Sequence, residues 1–293
     1  MLKRLAPWGI TVAIFAFLFG KYPVDRVLET LSHARWGVFL VLMAAYCAFY
    51  LVVDTFVLQQ AVSWFNVRVR WREVLPVRAT AYILSLVNTQ LGQGGIAVYL
   101  HRRHRIPFWQ VTGTVVFVAL IEMYQLAFAS SVGAVLSREP KAPWEVYGVM
   151  AGYLLGHLAY FSLPRVRQAT GLPILAAFRK ARPIQYLQLL LYKTPNLLAA
   201  VVVHWLALPL FGIQIPFATL LTFLPLVFFF AALPIAAAHL GPSQAAWTYF
   251  FHDYAPGEQL LAYSLAAHFT FMLLNAGYGL FFLRRAAREL SDA

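Results

Sequence analysis

Two carboxylates stand inside long apolar runs of this sequence: Asp54, after Leu51-Val52-Val53, and Glu122, after Ala119-Leu120-Ile121. An ionisable side chain at membrane depth is costly, so each is a functional candidate. Three chemistries suit such a group: binding a polar headgroup, pairing with a cation, or carrying a proton in coupled transport. The plain structural alternative is a buried acid that is protonated or hydrogen-bonded. Arg78 enters the next apolar segment. Its guanidinium suits a lipid phosphate or one of these acids, and its long stem equally allows snorkelling to the interface.

Uncharged polar residues cluster where two apolar segments break. Asn88, Gln90 and Gln93 precede or flank Gly92, Gly94 and Gly95; His239, Ser243 and Gln244 surround Gly241, downstream of Pro234. The amides and hydroxyl suit hydrogen bonds to a headgroup, and half-helix N-termini there would add a positive dipole end suited to phosphate. Equally, these groups can satisfy backbone freed by the breaks. The glycines and Pro234 read as backbone-shaping residues rather than contacts. His268, in the last apolar segment, completes the candidate set. Lys193, His157, His204 and Asn275 also lie within apolar segments, where a lone polar residue more often bonds between helices. His101 and His104 flank arginines and have no carboxylate at ligand spacing, so neither a metal nor a cofactor is expected.

The elements that must carry these residues are apolar. Of 293 residues 61% are hydrophobic and 12% charged, about half the charge of a soluble domain. Long runs without period-2 alternation predict helices rather than a membrane β-barrel. Full spans are expected at about 7–20, 36–62, 107–136, 144–163, 186–211 and 258–283, with broken segments at 74–100 and 216–251. The net charge of +12 sits in short clusters between them: Lys3-Arg4, Arg68 to Arg78, Arg102 to Arg105, Arg165 to Arg182 and Arg284 to Arg288. That pattern argues for topology and anionic headgroups rather than nucleic acid. The positive-inside rule puts all five clusters, and both termini, in the cytoplasm of a cell (inner) membrane protein.

Segment 74–100 then leaves from and returns to the cytoplasmic side, and 216–251 does so from the outer side. Each is too short for two crossings of ~20 residues. The expected fold is an all-α polytopic membrane protein in one domain, with six transmembrane helices and two re-entrant hairpins. At an offset of 149, Leu91/Leu240, Gly92/Gly241, Ala97/Ala246, Pro107/Pro256 and Gln110/Gln259 coincide. Units at about 72–137 and 216–284 therefore read as an inverted repeat, a transporter architecture. Trp8, Trp36, Trp64, Trp71, Trp109, Trp144 and Trp247 suit interfacial belts, and 173–185 a short basic surface helix.

From about 36 to 283 the chain resembles the flippase-like family named for the transmembrane domain of lysylphosphatidylglycerol synthase. The residues that carry the likeness are Leu91-Gly92-Gln93-Gly94-Gly95 with the basic run to Arg105, Leu233-Pro234, and Leu240-Gly241-Pro242-Ser243-Gln244 before the last helix. The family implies movement of a polar-headed lipid between leaflets, here as a stand-alone member without the aminoacyl-transferase domain. This sequence departs from the family pattern in charge. Ile96-Ala97-Val98-Tyr99 replaces an expected Arg, Gln244 an expected Glu, His268 an Arg, and Met123-Tyr124-Gln125 follows Glu122. A neutral or weakly polar headgroup fits such a site better than a lysyl lipid.

The expected function is thus a flippase or transporter for a phospholipid, glycolipid or isoprenoid/hopanoid-type lipid. Its partners would be membrane lipids, anionic headgroups at the cytoplasmic face, and a separate lipid-modifying enzyme. An accessory subunit of a lipid-modifying pathway and an ion-coupled small-solute transporter are the alternatives. No D-x-x-D, H-x₄-D with a partner, or HExxH motif favours an enzyme, and no P-loop supports ATP hydrolysis.

Overall fold

Among the described residues, helices form where the sequence runs apolar, and most stop at Pro, Gly or basic punctuation. The computed structural model describes residues 2–86, 89–137, 147–148, 151–152, 155–156, 159, 171–232 and 240–291. Its helices are α1 (Leu2–Lys21), α2 (Val24–His33), α3 (Trp36–Phe65), α4 (Trp71–Ser85), α5 (Thr89–His104), α6 (Phe108–Ser137), α7 (Ala176–Lys180), α8 (Pro183–Ala207), α9 (Phe217–Ala232), α10 (Pro242–Phe250) and α11 (Gly257–Ser291). No strand occurs among the described residues.

Trp36–Phe65, Phe108–Ser137, Pro183–Phe211 and Gly257–Glu289 are long and apolar enough to cross a membrane. The protein is therefore a helical, membrane-embedded chain. The expected span at 144–163 falls largely outside the described residues. α4, α5, α9 and α10 have 15, 16, 16 and 9 residues. At ~1.5 Å per residue none reaches the ~30 Å of a hydrocarbon core. α4 packs on α5, and α9 on α10. Each broken segment is thus a pair of short packed helices.

The chain divides into two compact units. The first comprises Met1–Cys47, Phe128–Ala142 and Leu197–Leu274; the second comprises Ala48–Ala127, Pro143–Asn196 and Asn275–Ala293. Every boundary but the one after Ala142 falls inside a long helix, so α3, α6, α8 and α11 each supply one part to each unit. The cut before Ala48 and the cut before Leu197 are 149 residues apart, the offset already seen between the broken segments. The order long helix, short pair, long helix occurs twice, as α3–α6 and α8–α11. Leu75-Pro76 and Leu224-Pro225 also match at this offset, placing a proline inside the first limb of each pair.

A helix proline removes one N–H and frees the carbonyl four residues earlier. In the second unit that carbonyl is Arg72 O, which accepts a hydrogen bond from Arg285 of α11 at 3.1 Å. In the first unit, Thr222 O in the turn before Pro225 accepts one from Ser130 of α6 at 2.8 Å. Close backbone approach accompanies both bonds. A Cβ at Gly279 would lie 2.8 Å from Ile83 Cγ1, and one at Gly133 would lie 2.6 Å from the Leu221 carbonyl carbon. Each unit therefore joins a short pair from one half of the chain to the long helix that closes the other half.

Three details depart from the sequence reading. α2 is an unanticipated amphipathic helix whose Val27 packs with Leu18, Leu261 and Ala262. Residues 173–185 form no surface helix: α7 is a five-residue helix with Ala177 and Phe178 buried, tied by Lys180 Nζ to Phe65 O at 3.0 Å. Trp247 is no interfacial anchor; it is buried against Phe251 and Tyr263, at ring distances of 4.7 and 5.2 Å.

Candidate functional site

The second unit gathers charge at the middle of its helices. Tyr50 and Asp54 are one turn apart on α3, and Arg78 and Tyr82 one turn apart on α4; this spacing puts each pair on one helix face. Arg78 Nε donates a short hydrogen bond to Asp54 Oδ2. Tyr82 donates to the same oxygen at 2.8 Å. The guanidinium also lies over the Tyr82 ring, 5.0 Å from its centre. Asp54 is buried, so its charge is held by a cation and a hydroxyl instead of water. The Tyr50 ring lies tilted beside Tyr82, ring centres 6.3 Å apart, and its main-chain carbonyl accepts from Asn196 Nδ2 at 3.5 Å.

A second ion pair stands close by. Lys193 of α8 donates from Nζ to Glu122 Oε2 of α6 at 2.8 Å. Its two ends sit in different surroundings: the Lys193 side chain is 7% exposed and that of Glu122 is 40% exposed. Lys193 lies within electrostatic reach of Asp54, and Tyr50 within reach of Asp54, Arg78 and Glu122. The six side chains form one polar cluster with its formal charges balanced. Glu122 lies near the centre of the 30-residue α6. An exposed carboxylate at that depth requires a wet or polar surface beside it, because lipid tails cannot solvate it. This arrangement can exchange hydrogen bonds between its own ions and a polar ligand.

The first unit holds the other break. Gly241 adopts φ +102°, a conformation open to glycine, and its Cβ position faces Ile14 at 3.2 Å. Pro242 opens α10, and Gln244 Oε1 accepts the Gly241 N–H at 2.7 Å, a reach-back cap. Thr11 of α1 donates to Leu240 O at 3.2 Å. Gln244 thus satisfies freed backbone, while its buried Nε2 has no hydrogen-bond partner among the described residues. Ser243 is buried next to it.

Asp54, Arg78 and Glu122, separate in sequence, come together; Ser243, Gln244 and His268 belong to the other unit. Gln93 is partly buried on α5. Asn88, Pro234 and His239 lie outside the described residues, as does the side chain of Gln90. Gly92, Gly94 and Gly95, expected at the first break, sit within α5. Gly92 lets α5 approach Ala81 O, with a Cβ placed only 2.7 Å away, and Gly95 faces Leu84 Cδ1 at 2.7 Å; Gly94 faces open space. Sequence reasoning gave Lys193 no partner and passed over Tyr50, Tyr82 and Asn196. The legible signal was a lone lysine in an apolar helix, opposite an unassigned carboxylate elsewhere. Among the described residues, no group of three or more His, Cys, Asp or Glu is placed to hold a metal.

No protein-family model matches this sequence, and no curated protein matches it significantly.

Proposed function

We propose that this chain is a lipid flippase, moving a polar-headed lipid between leaflets. The observation that carries this reading is the balanced cluster Asp54–Arg78 and Glu122–Lys193, whose Glu122 end is exposed near mid-helix. A headgroup that reaches Glu122 can take over part of the ion pair's hydrogen bonding while its tails stay in lipid. The partly buried Arg78 and the buried Lys193 then stand ready for a phosphate, and the carboxylates for hydroxyl or amine groups. Charge balance favours a neutral or zwitterionic headgroup over a strongly charged one, because an unmatched charge would stay buried.

The proposed topology has six spans, with α4–α5 and α9–α10 as re-entrant hairpins entering from opposite faces and both termini in the cytoplasm of the inner membrane. Support comes from the short limbs, the twofold element order, and the basic groups Arg68–Arg72, Arg102–Arg105, Arg179–Arg182 and Arg284–Arg288, all in the second unit. The likeness to the lysylphosphatidylglycerol synthase transmembrane family points the same way.

An ion-coupled solute transporter is the second reading, favoured by the exposure of Glu122, a carboxylate able to exchange protons. Reconstitution into liposomes with headgroup-labelled lipids separates the two. Faster transbilayer movement of at least one phospholipid, glycolipid or isoprenoid-type lipid is the expected result. No acceleration across that panel overturns the flippase reading.

A further inference from the structure

A second polar site lies in the first unit, away from the charge cluster in sequence and in composition. A cavity of about 620 Å³ opens there, within the size range of small-ligand sites. Arg26, Glu29 and His33 of α2, the linker residue Arg35, and Glu258 and Gln259 of α11 supply its polar lining. Thr30 of α2 and Pro209 to Gly212 complete the wall, the latter from the 3₁₀ turn Leu208–Phe211 and its end at Gly212, φ +75°. The Arg35 N–H donates to Leu210 O at 3.2 Å and fixes the linker to that turn.

Several of these groups are already engaged. Arg26 pairs with Glu29 at 3.0 Å. His33 Nδ1 bonds the Glu29 carbonyl at 2.8 Å. The side chains of Arg35, Glu258 and Gln259 make no hydrogen bond or ion pair among the described residues, and Glu258 and Gln259 are partly buried. Arg35 and Glu258 line one cavity without pairing with each other. Among the described residues the cavity therefore offers a cation, the exposed Arg35, and a carboxylate, Glu258, that are not paired with each other.

We propose that this cavity binds a zwitterionic ligand. Arg35 takes its phosphate or carboxylate, Glu258 takes its ammonium, and Gln259 donates or accepts beside them. A singly charged ligand would leave one of the two partners unanswered. On the flippase reading this is where a zwitterionic headgroup is collected or released; that role rests on the transport proposal, whereas binding does not.

The test is calorimetric titration of the full-length chain in neutral detergent with glycerophosphoethanolamine, glycerol 3-phosphate and ethanolamine. Saturable binding of the first, tighter than the other two by about tenfold, is expected. Arg35→Gln should weaken all phosphate-bearing ligands by about tenfold. Glu258→Gln should abolish the preference for glycerophosphoethanolamine yet keep glycerol 3-phosphate binding, a result an unfolded variant cannot give. Tyr249→Ala, at an exposed position outside both sites, should leave these affinities unchanged. A short-chain phosphatidylethanolamine that binds more tightly than glycerophosphoethanolamine supports the site with a lipid as its source; equal affinity supports it with a soluble zwitterion. Absent binding of the zwitterion, equally tight binding of glycerol 3-phosphate or ethanolamine, each carrying charge of one sign only, or affinities untouched by both variants would overturn the proposal. Lipid movement in liposomes is measured separately, so loss of transport with intact binding counts against the flippase reading alone.

Discussion

Lys193 donates to Glu122 across 2.8 Å from a buried position, while its acceptor is 40% exposed on the side chain. The two ends of this ion pair are therefore unequal. Removing the acid strands a buried ammonium, whereas removing the lysine leaves a carboxylate that water or a ligand can reach.

Glu122→Gln should therefore destabilise the chain by about 3 kcal/mol, the lower end for a stranded buried charge, since Asp54 still attracts Lys193. Lys193→Met should cost about 1 kcal/mol. Glu122→Gln with Lys193→Met should recover most of the loss. Chemical unfolding in detergent, arranged as a double-mutant cycle, reads the asymmetry; equal single-variant losses would contradict it.

Arg78 bonds Asp54 through Nε and lies over the Tyr82 ring, two contacts that one planar guanidinium makes together. Lysine carries the charge without that plane. Arg78→Lys should lower transport by about tenfold in the liposome assay and shift the melting temperature only slightly. Tyr82→Phe, which removes the 2.8 Å bond but keeps the ring, should cost about 1 kcal/mol of stability.

Gly133 and Gly279 face backbone, not open space. Alanine at either position forces a helix apart and should destabilise by about 1–3 kcal/mol. Gly277 has nothing within 4 Å of its Cβ position, so Gly277→Ala is the matched control and should be neutral or slightly stabilising. Thermal unfolding of the three variants decides the matter.

His104 ends α5 in the basic run, and burial holds its imidazole below the usual value near 6.5. Its Nε2 is buried without a hydrogen-bond partner among the described residues. The folded chain therefore keeps this ring neutral where the unfolded chain would protonate it. Its contribution is complete above pH ~6.5 and is lost as pH falls from there through the lower folded value. Melting temperature should drop between pH 7.5 and 5.5, and His104→Gln should make that drop shallower.

How far the sequence could be read depended on whether the signal was local. Apolar runs bounded by Pro, Gly and Arg placed α3, α6 and α8 within a few residues, and both broken segments. α11 runs eight residues past its expected end because Arg285 and Glu289 pair at 3.0 Å across one turn and continue the helix as a polar one. α2 escapes a sequence reading because its ten mixed residues after Pro23 carry only a narrow apolar stripe. Glu122 and Lys193 lie 71 residues apart, and nothing in either neighbourhood names the other. Trp247 shows the same limit: an aromatic residue in an apolar helix looks alike whether it faces lipid or packs on Tyr263.

The bonds from Arg285 to Arg72 O and from Ser130 to Thr222 O make the two halves of the chain interlocked by exchange. A fragment carrying α3–α6 alone holds a short pair whose proline-freed carbonyl has lost its donor, and a closing helix whose serine has nothing to meet. Fragment complementation is thus the behaviour expected of this architecture: either half by itself should fold poorly, and the two expressed together should rebuild both units. The same reasoning reaches back in evolution. If the repeat arose by duplication, its single-copy ancestor had to associate with a second copy of itself, so fusion of the genes made permanent a partnership that a monomer could never have dispensed with.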